Sequence, residues 1–281
     1  MKRIVTIQDI TCLGKCALTV ALPIISAMGV EASVIPTALL SVHTAFDHFT
    51  FQDLTPSVSP IVNHWKKEKF TFDSIYTGYL GSFEQMNLIS NFIDDFKKED
   101  TLVFMDPVLG DHGRLYTGFD EEFARAMAKL CAKADVITPN LTEACLLLER
   151  PYPGDACDES YVKDLLRDLS QLGTKKVVLT GASFHPEQVG VVAYDAETDR
   201  FFQYFNELLP MRFHGTGDVF ASICVGALTR GFSLEQALPL AVDFTLASIR
   251  ASMADPDRRW YSVNFEEAIP MLVRRLEESR D

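Results

Sequence analysis

Phe213-His214-Gly215-Thr216-Gly217-Asp218-Val219-Phe220-Ala221 is the stretch on which the reading of this chain turns. Two glycines bracket a threonine immediately before an apolar run containing Val219, Phe220, Ile223, Val225 and Leu228. That pattern is a helix entered through a glycine turn. Glycines let backbone N–H groups converge, and the helix N-terminus adds its positive end, so Gly215, Thr216 and Gly217 form an anion hole suited to a phosphate. Asp218 lies in the first turn and has two readings, helix capping and chemistry on a ligand.

Upstream, short β-branched runs alternate with amphipathic helical patterns. Strands are expected at 3–8, 32–37, 74–77, 101–106, 135–138 and 176–180. These runs are continuously apolar, as in strands covered on both faces. Helices are expected at 56–67, 82–96, 120–132, 141–148 and 161–172, with a further stripe through Leu18, Leu22, Ile25 and Met28. This is the rhythm of a parallel sheet with helices on both sides. Residues 189–195 and 200–204 read as an antiparallel hairpin towards a sheet edge. Beyond residue 213 the chain is helical, at 216–229, 234–254 and 265–278. With no linker or internal repeat, 1–281 reads as one domain. Residues 38–55 form an apolar connection holding His43, Phe46, His48, Phe49 and Phe51, suited to covering a ligand or an oligomer partner.

In open α/β sheets ligands bind beyond the carboxyl ends of the strands. Polar residues and glycines collect at five of them: Gln8-Asp9, Gly78-Tyr79-Leu80-Gly81-Ser82, Asp106-Pro107-Val108-Leu109-Gly110-Asp111, Pro139-Asn140-Leu141-Thr142-Glu143 and Thr180-Gly181. An ordinary turn accounts for any single one.

Composition excludes other classes. The net charge is −13 over 281 residues, which argues against nucleic acid or an anionic membrane as partner but not against a small anion in a local pocket. The basic start gives way to Gln8 and Asp9 too soon for a signal peptide, and uncharged residues 16–30 are interrupted and too short for a membrane span. Six cysteines without paired spacing fit small thiols in a reducing cytoplasm rather than a metal site. Gly-x4-Gly-Lys-Ser/Thr, Gly-x-Gly-x-x-Gly after the first strand and Gly-x-Ser-x-Gly are all absent, which sets aside Walker-type ATPases, dinucleotide folds and elbow-type serine hydrolases.

Taken together, Ile7-Gln8, Ser41-Val42-His43-Thr44, Thr77-Gly78-Tyr79-Leu80-Gly81-Ser82, Asp106 to Asp111, Thr138 to Glu143 and Gly215 to Asp218 resemble the ribokinase-like superfamily, and within it the pyridoxal kinases, over nearly the whole chain. The resemblance implies an α/β ribokinase-like fold, with a central, mostly parallel sheet flanked by helices on both faces and no large lid domain. It implies ATP-dependent phosphorylation of the 5′-hydroxyl of pyridoxal, pyridoxamine or pyridoxine. Asp218 is then the catalytic base and Gly215, Thr216 and Gly217 the anion hole. Asp9, His43, Thr44 and Tyr79 contact the vitamin together with Asp218. Asp106, Asp111, Thr138, Asn140 and Thr180 contact ATP, and Glu143 and Asp106 face magnesium, partly through water. A monovalent cation is a further expected ion, and a cytoplasmic homodimer the expected form.

Many members of the family carry Ser where this chain has Asp9. An ionised carboxylate only accepts hydrogen bonds, so Asp9 favours a protonated ring nitrogen or a substrate amine and shifts the ranking among the vitamers. Rival readings are a hydroxymethylpyrimidine kinase, a sugar or nucleoside kinase, and a non-catalytic vitamin-binding protein on the same fold. The stretch 110–118 is the candidate for a mobile cover over ATP.

Overall fold

A computed structural model describes residues 1–154 and 157–278. The chain is α/β, with a mostly parallel sheet and helices. It divides into two compact units, 1–74 with 209–281, and 75–208.

In the first unit β1 (Arg3–Leu13) pairs in parallel with β2 (Glu31–Val42), joined by α1 (Leu18–Ala27). Ile4 to Asp9 are all buried, so β1 is covered on both faces, which is why its sequence is a continuous rather than an alternating apolar run. The register with β2 shifts between Gln8 and Ile10, so the irregularity falls at Asp9. Part of the 38–55 stretch, read from sequence as a connection, is strand: β2 runs to Val42, and β3 (Phe51–Asp53) returns antiparallel beside it. β3 is exposed at all three residues, so it carries no burial pattern from which a strand could be recognised. α2 (Thr55–Glu68) follows, with Pro56 in its first turn, where a missing N–H costs nothing.

The second unit holds β4 (Ser74–Thr77), α3 (Phe83–Phe96), β5 (Leu102–Met105), the short β6 (Gly110–Asp111) and β7 (Arg114–Leu115), α4 (Glu121–Cys131), β8 (Val136–Ile137), α5 (Leu141–Leu147), α6 (Glu159–Ser170), β9 (Lys176–Ala182), β10 (Gln188–Asp195) and β11 (Arg200–Glu207). Its strands run in the order β11-β10-β9-β8-β5-β4. β5, β8 and β9 are parallel, and the antiparallel β10–β11 hairpin lies at the outer edge as expected. Ser82, Asp120, Asn140 and Asp158 each cap a helix by accepting from a backbone N–H three residues on.

Residues 110–118, the candidate cover over ATP, include the short β6–β7 hairpin. His112 and Gly113 both have positive φ, at 49° and 73°, which is the requirement of a tight two-residue hairpin turn. Gly113 N–H donates to Thr142 Oγ1 at 2.8 Å, and a Cβ at Gly113 would stand 2.6 Å from the Tyr152 ring.

The chain ends in the first unit with α7 (Thr216–Thr229), α8 (Leu234–Ala254), a 3-10 turn at Glu266–Ala268 and α9 (Ile269–Glu278). By length and composition alone α8 is apolar enough to cross a membrane. Here it packs on α7 and buries Leu238, Ala241 and Phe244, among others, as a core helix does. Of the six cysteines, Cys131, Cys145 and Cys224 are buried, whereas Cys12 is exposed.

Candidate active site

In the first unit the site is built around the N-terminus of α7. Gly215 is its N-cap, in the left-handed region at φ 84°. A Cβ there would lie 2.2 Å from the carbonyl oxygen of Lys15, so glycine is required both for conformation and for close approach. At Gly217, by contrast, a Cβ would meet nothing within 4 Å. The first-turn amides of a helix have no partner within the helix.

Asp218 follows on the same turn. Burial pushes its carboxyl up to about 7, the nearby Asp9 carboxyl adds to the rise, and the Ala17 backbone opposes both. Asp9 is buried at the β1 irregularity and accepts from Thr11 Oγ1 at 2.9 Å. Burial raises its pKa against that hydrogen bond. Cys16 completes the group: burial, then Asp218, then Asp9 hold its thiol protonated. The structure therefore brings Asp9 and Asp218 together, as expected. It adds Cys16 and Ala17, which no motif had flagged.

Ala17 sits at φ 50°, ψ −125°, a conformation costing an L-residue about 1–3 kcal/mol. Such strain persists only where the surroundings impose it, and Ala17 is bridged to Ile10 of β1. Alanine carries no signal of positive φ, so nothing in the sequence announced this.

His43 is buried, and both of its ring nitrogens are engaged within the protein. Nδ1 accepts from Ala45 N–H at 3.3 Å, which leaves Nε2 to donate to Tyr261 O at 3.1 Å. Burial, with His214 alongside, depresses its pKa, favouring the neutral ring. Its ring packs 4.6 Å from His214, 5.0 Å from Phe46 and 6.0 Å from Trp260. His43 is thus placed to offer a ring face rather than a hydrogen bond. Its aromatic companions Trp260 and Tyr261 come from more than 200 residues away, beyond the reach of local pattern. Thr44 lies in an exposed turn.

In the second unit the expected residues gather at strand ends. Thr138 follows β8, Asn140 bridges to Thr180 in β9, and Asp106 follows β5, its N–H donating to Thr77 O at 2.9 Å. Asn140 caps α5 with Oδ1, and its Nδ2 donates to Gly110 O at 2.9 Å. Glu143 is buried, not solvated. Its Oε1 accepts from Leu109 N–H at 2.9 Å and its Oε2 from Asn140 N–H at 2.9 Å, closing a capping box. Burial pushes Glu143 up to about 7 against these amides, with the exposed Asp111 adding to the rise. Asp106 and Glu143 share a neighbourhood, because both raise the pKa of the Cys131 thiol beyond what burial alone does. Tyr79 stacks on Phe119 at 5.8 Å.

Two further groups stand out here. The hydroxyls of Thr77 and Thr138 are buried and make no hydrogen bond. An orphaned buried hydroxyl costs free energy, so a polar ligand or water is the expected partner. Among the described residues, no three His, Cys, Asp or Glu side chains cluster closely enough to cage a metal. The donor set instead fits magnesium as it is bound with nucleotides, through one or two carboxylates, water and phosphate oxygens.

Buried carboxyls of raised pKa, one within a strand and others in the first turns of helices, with a helix entered through glycine, are groups suited to phosphoryl transfer. Comparison with known proteins narrows the class. Residues 22–259 match the family model described as phosphomethylpyrimidine kinase, and the chain belongs to that family. A Bacteroides thetaiotaomicron protein carrying the same description, crystallised with pyridoxal, is 41% identical at a TM-score of 0.92, over 96% of this chain and 95% of that one. The pyridoxal kinase of Lactobacillus plantarum is 29% identical at a TM-score of 0.91, over 99% of both chains. The pyridoxine/pyridoxal/pyridoxamine kinase of Bordetella avium is 28% identical over 248 residues, 84% of this chain and 80% of its own. The ribokinase-like fold expected from the motifs is the fold these structures share.

Proposed function

We propose that the chain transfers the γ-phosphoryl group of ATP to the 5′-hydroxyl of pyridoxal, pyridoxamine or pyridoxine. The observation that carries this reading is Asp218, a desolvated carboxyl at about 7 on the first turn of a helix whose entry is built from glycine. A general base works best with a pKa near the operating pH, and Asp218 is suited to accept the hydroxyl proton as the phosphoryl group arrives. The amides of Gly215, Thr216 and Gly217 face the charge that develops on that group, and phosphoryl transfer asks mainly for positioning and charge stabilisation.

Asp9 is assigned to the vitamin. Its raised pKa makes ionisation costly until a cation arrives, so a protonated ring nitrogen or an amine is its natural partner. His43 and Tyr79 contribute ring faces and Thr44 an exposed hydroxyl. Asp106, Asp111, Thr138, Asn140 and Thr180 are assigned to ATP; the unpartnered Thr138 hydroxyl supports that assignment, whereas Asn140 already spends its side chain on Glu143 and Gly110. Magnesium, when bound, neutralises phosphate charge, and Asp106 and Glu143 are the carboxylates that would hold it, directly or through water. A homodimer is part of the same reading, supported by the exposed apolar side chains of Leu39 and Phe51 on β2 and β3.

The family description favours a second reading, a hydroxymethylpyrimidine kinase, which differs only in the ring bound. Purified protein with Mg-ATP and pyridoxal, pyridoxamine, pyridoxine or hydroxymethylpyrimidine in parallel decides between them. Product from the pyrimidine alone overturns the B6 assignment. Binding without product from any of the four favours a vitamin-binding protein.

A further inference from the structure

The structure assigns Phe119 as a positioning residue that sets the plane of the Tyr79 ring. This rests on the reading of Tyr79 as a vitamin contact and adds to it what holds that ring in place.

Tyr79 lies half-buried just beyond the end of β4. Two contacts place its ring. The hydroxyl end lies over Gly81, where a Cβ would stand 3.2 Å from the Tyr79 oxygen. Gly81 is fixed in turn, its N–H donating at 2.7 Å to Oε1 of the buried Gln85. A seat at the hydroxyl end leaves the ring able to turn about its long axis, because the torsion at that bond is broad. A contact on the ring face restricts that turn. Phe119 supplies one, stacking on Tyr79 with centres 5.8 Å and planes 28° apart.

Phe119 is itself held. Its ring lies nearly parallel to that of Phe123, at 4.1 Å and 8°. Phe123 is buried in the first turn of α4, and it meets Phe83 of α3 edge-on at 5.4 Å. Asp120, the cap of α4, accepts from Phe123 N–H at 2.8 Å. On the other side, Phe119 N–H donates to Tyr116 O at 3.1 Å, and Tyr116 N–H to Leu109 O at 2.9 Å, at the base of the β6–β7 hairpin.

An apolar residue just before a helix cap commonly packs onto the first turn and fixes the entry of the chain. That role accounts for the stack on Phe123, within one segment. It leaves the second stack, on a residue at the end of a different strand, to be explained. Phe119 joins the well-anchored start of α4 to a ring at the candidate site, so the anchoring of one passes to the other.

The test compares wild type with Phe119→Leu, Phe119→Tyr, Tyr79→Leu and the double variant Tyr79→Leu/Phe119→Leu, each first checked for folding by circular dichroism; Phe119→Met replaces Phe119→Leu should that variant not fold. Leucine keeps an apolar contact on Phe123 and removes the stack on Tyr79. For Phe119→Leu, KM for the vitamin is expected to rise about fivefold, the size of one aromatic pair, with kcat and KM for ATP within about twofold. Phe119→Tyr restores the vitamin KM. In the Tyr79→Leu background Phe119→Leu adds nothing, since the two act through one contact.

A wild-type vitamin KM in Phe119→Leu, where Tyr79→Leu raises it, overturns the proposal alone. So does an equal rise in KM for ATP, which marks general loosening, and so does an additive double variant. A wild-type vitamin KM in Tyr79→Leu overturns the assignment of Tyr79 and this inference with it. If wild type phosphorylates none of the substrates, the functional reading fails separately. The positioning is then read without turnover, from the flip rate of the Tyr79 ring by NMR of ring-labelled tyrosine. Faster flipping in Phe119→Leu supports it, and equal rates overturn it.

Discussion

Gly215 and Gly217 stand two residues apart in one motif, yet replacing each by alanine should have opposite consequences. At Gly215 the backbone is left-handed and the new Cβ would lie 2.2 Å from the Lys15 carbonyl oxygen. The conformation costs about 1–2 kcal/mol for an L-residue, and forcing the loop aside costs about 1–3 kcal/mol more. A total of about 2–5 kcal/mol corresponds to a fall in Tm of about 3–9 °C for a chain of this size. At Gly217 the Cβ meets nothing within 4 Å, and alanine is the better helix former by up to about 1 kcal/mol. Gly217→Ala should therefore melt at or slightly above the wild-type temperature. The space it fills is the space assigned to the phosphoryl group, and loss of one such donor site costs about 10²–10³ in kcat. Thermal melting and steady-state kinetics with saturating Mg-ATP measure the two effects separately. A Gly217→Ala protein that turns over normally refutes the anion hole, and a Gly215→Ala protein as stable as wild type refutes the packing of the 14–17 loop against it.

Asp218→Asn should bind the vitamin but lose turnover by about a hundredfold or more, and near-normal turnover would remove Asp218 from the mechanism. Because Asp218 is raised to about 7, the native state keeps a proton that the unfolded state releases, so stability falls as pH rises from about 4 to about 7. The Asn variant should then gain in Tm over wild type between pH 5 and pH 8, as melts at both pH values would reveal; a constant difference contradicts the raised pKa. Asp9→Ser should lower kcat/KM for pyridoxamine relative to pyridoxal, and an unchanged ranking across the vitamers ends the case for Asp9 as a selector. Withdrawing magnesium should weaken ATP binding heavily in calorimetry, since Asp106 and Glu143 then repel the phosphates; unaltered affinity would take the metal out of the site.

What could be read from sequence follows what local pattern records. β1 and β4 are legible because burial on both faces makes their runs continuously apolar. The bounds of α7 and α8 coincide with those expected, since a glycine entry marks the start of one and Ser233 with Gln236 closes a capping box on the other. Asp106, Thr138 and Asn140 sit just beyond the ends of β5 and β8, where polar residues collect in the sequence, whereas β1 runs on past Asp9 to Leu13. Other features depend on partners far away in sequence. β3 is exposed and three residues long, and β6 and β7 are pairs held by a turn, so none leaves a periodic trace. His43 is expected to contact the vitamin, and only the structure shows Ala45 and Tyr261 occupying both ring nitrogens. Glu143 is expected to face magnesium, and only the structure shows its two oxygens on backbone amides. The strain at Ala17 has no sequence signature.

The charge of −13 acquires a local meaning from these carboxylates. Each unit holds a desolvated acid at about 7, Asp218 in one and Glu143 in the other, each with a second carboxyl adding to its rise. In both cases burial is the larger cause, and backbone amides oppose it without overcoming it. At neutral pH either group therefore sits close to its own titration, and a positive ligand tips it to the ionised form. The cation differs between the two. On the proposed function, Asp9 beside Asp218 would meet a protonated ring nitrogen or amine, whose arrival would lower the pKa of both acids. On the same proposal, Asp106 beside Glu143 would meet the magnesium ion that accompanies the nucleotide. Vitamin binding should then release protons when measured at pH 7 in buffers of different ionisation enthalpy, and Asp9→Ser should reduce that release. Proton uptake on binding, or a release the substitution leaves unaltered, would show that the two acids are not set by their ligand.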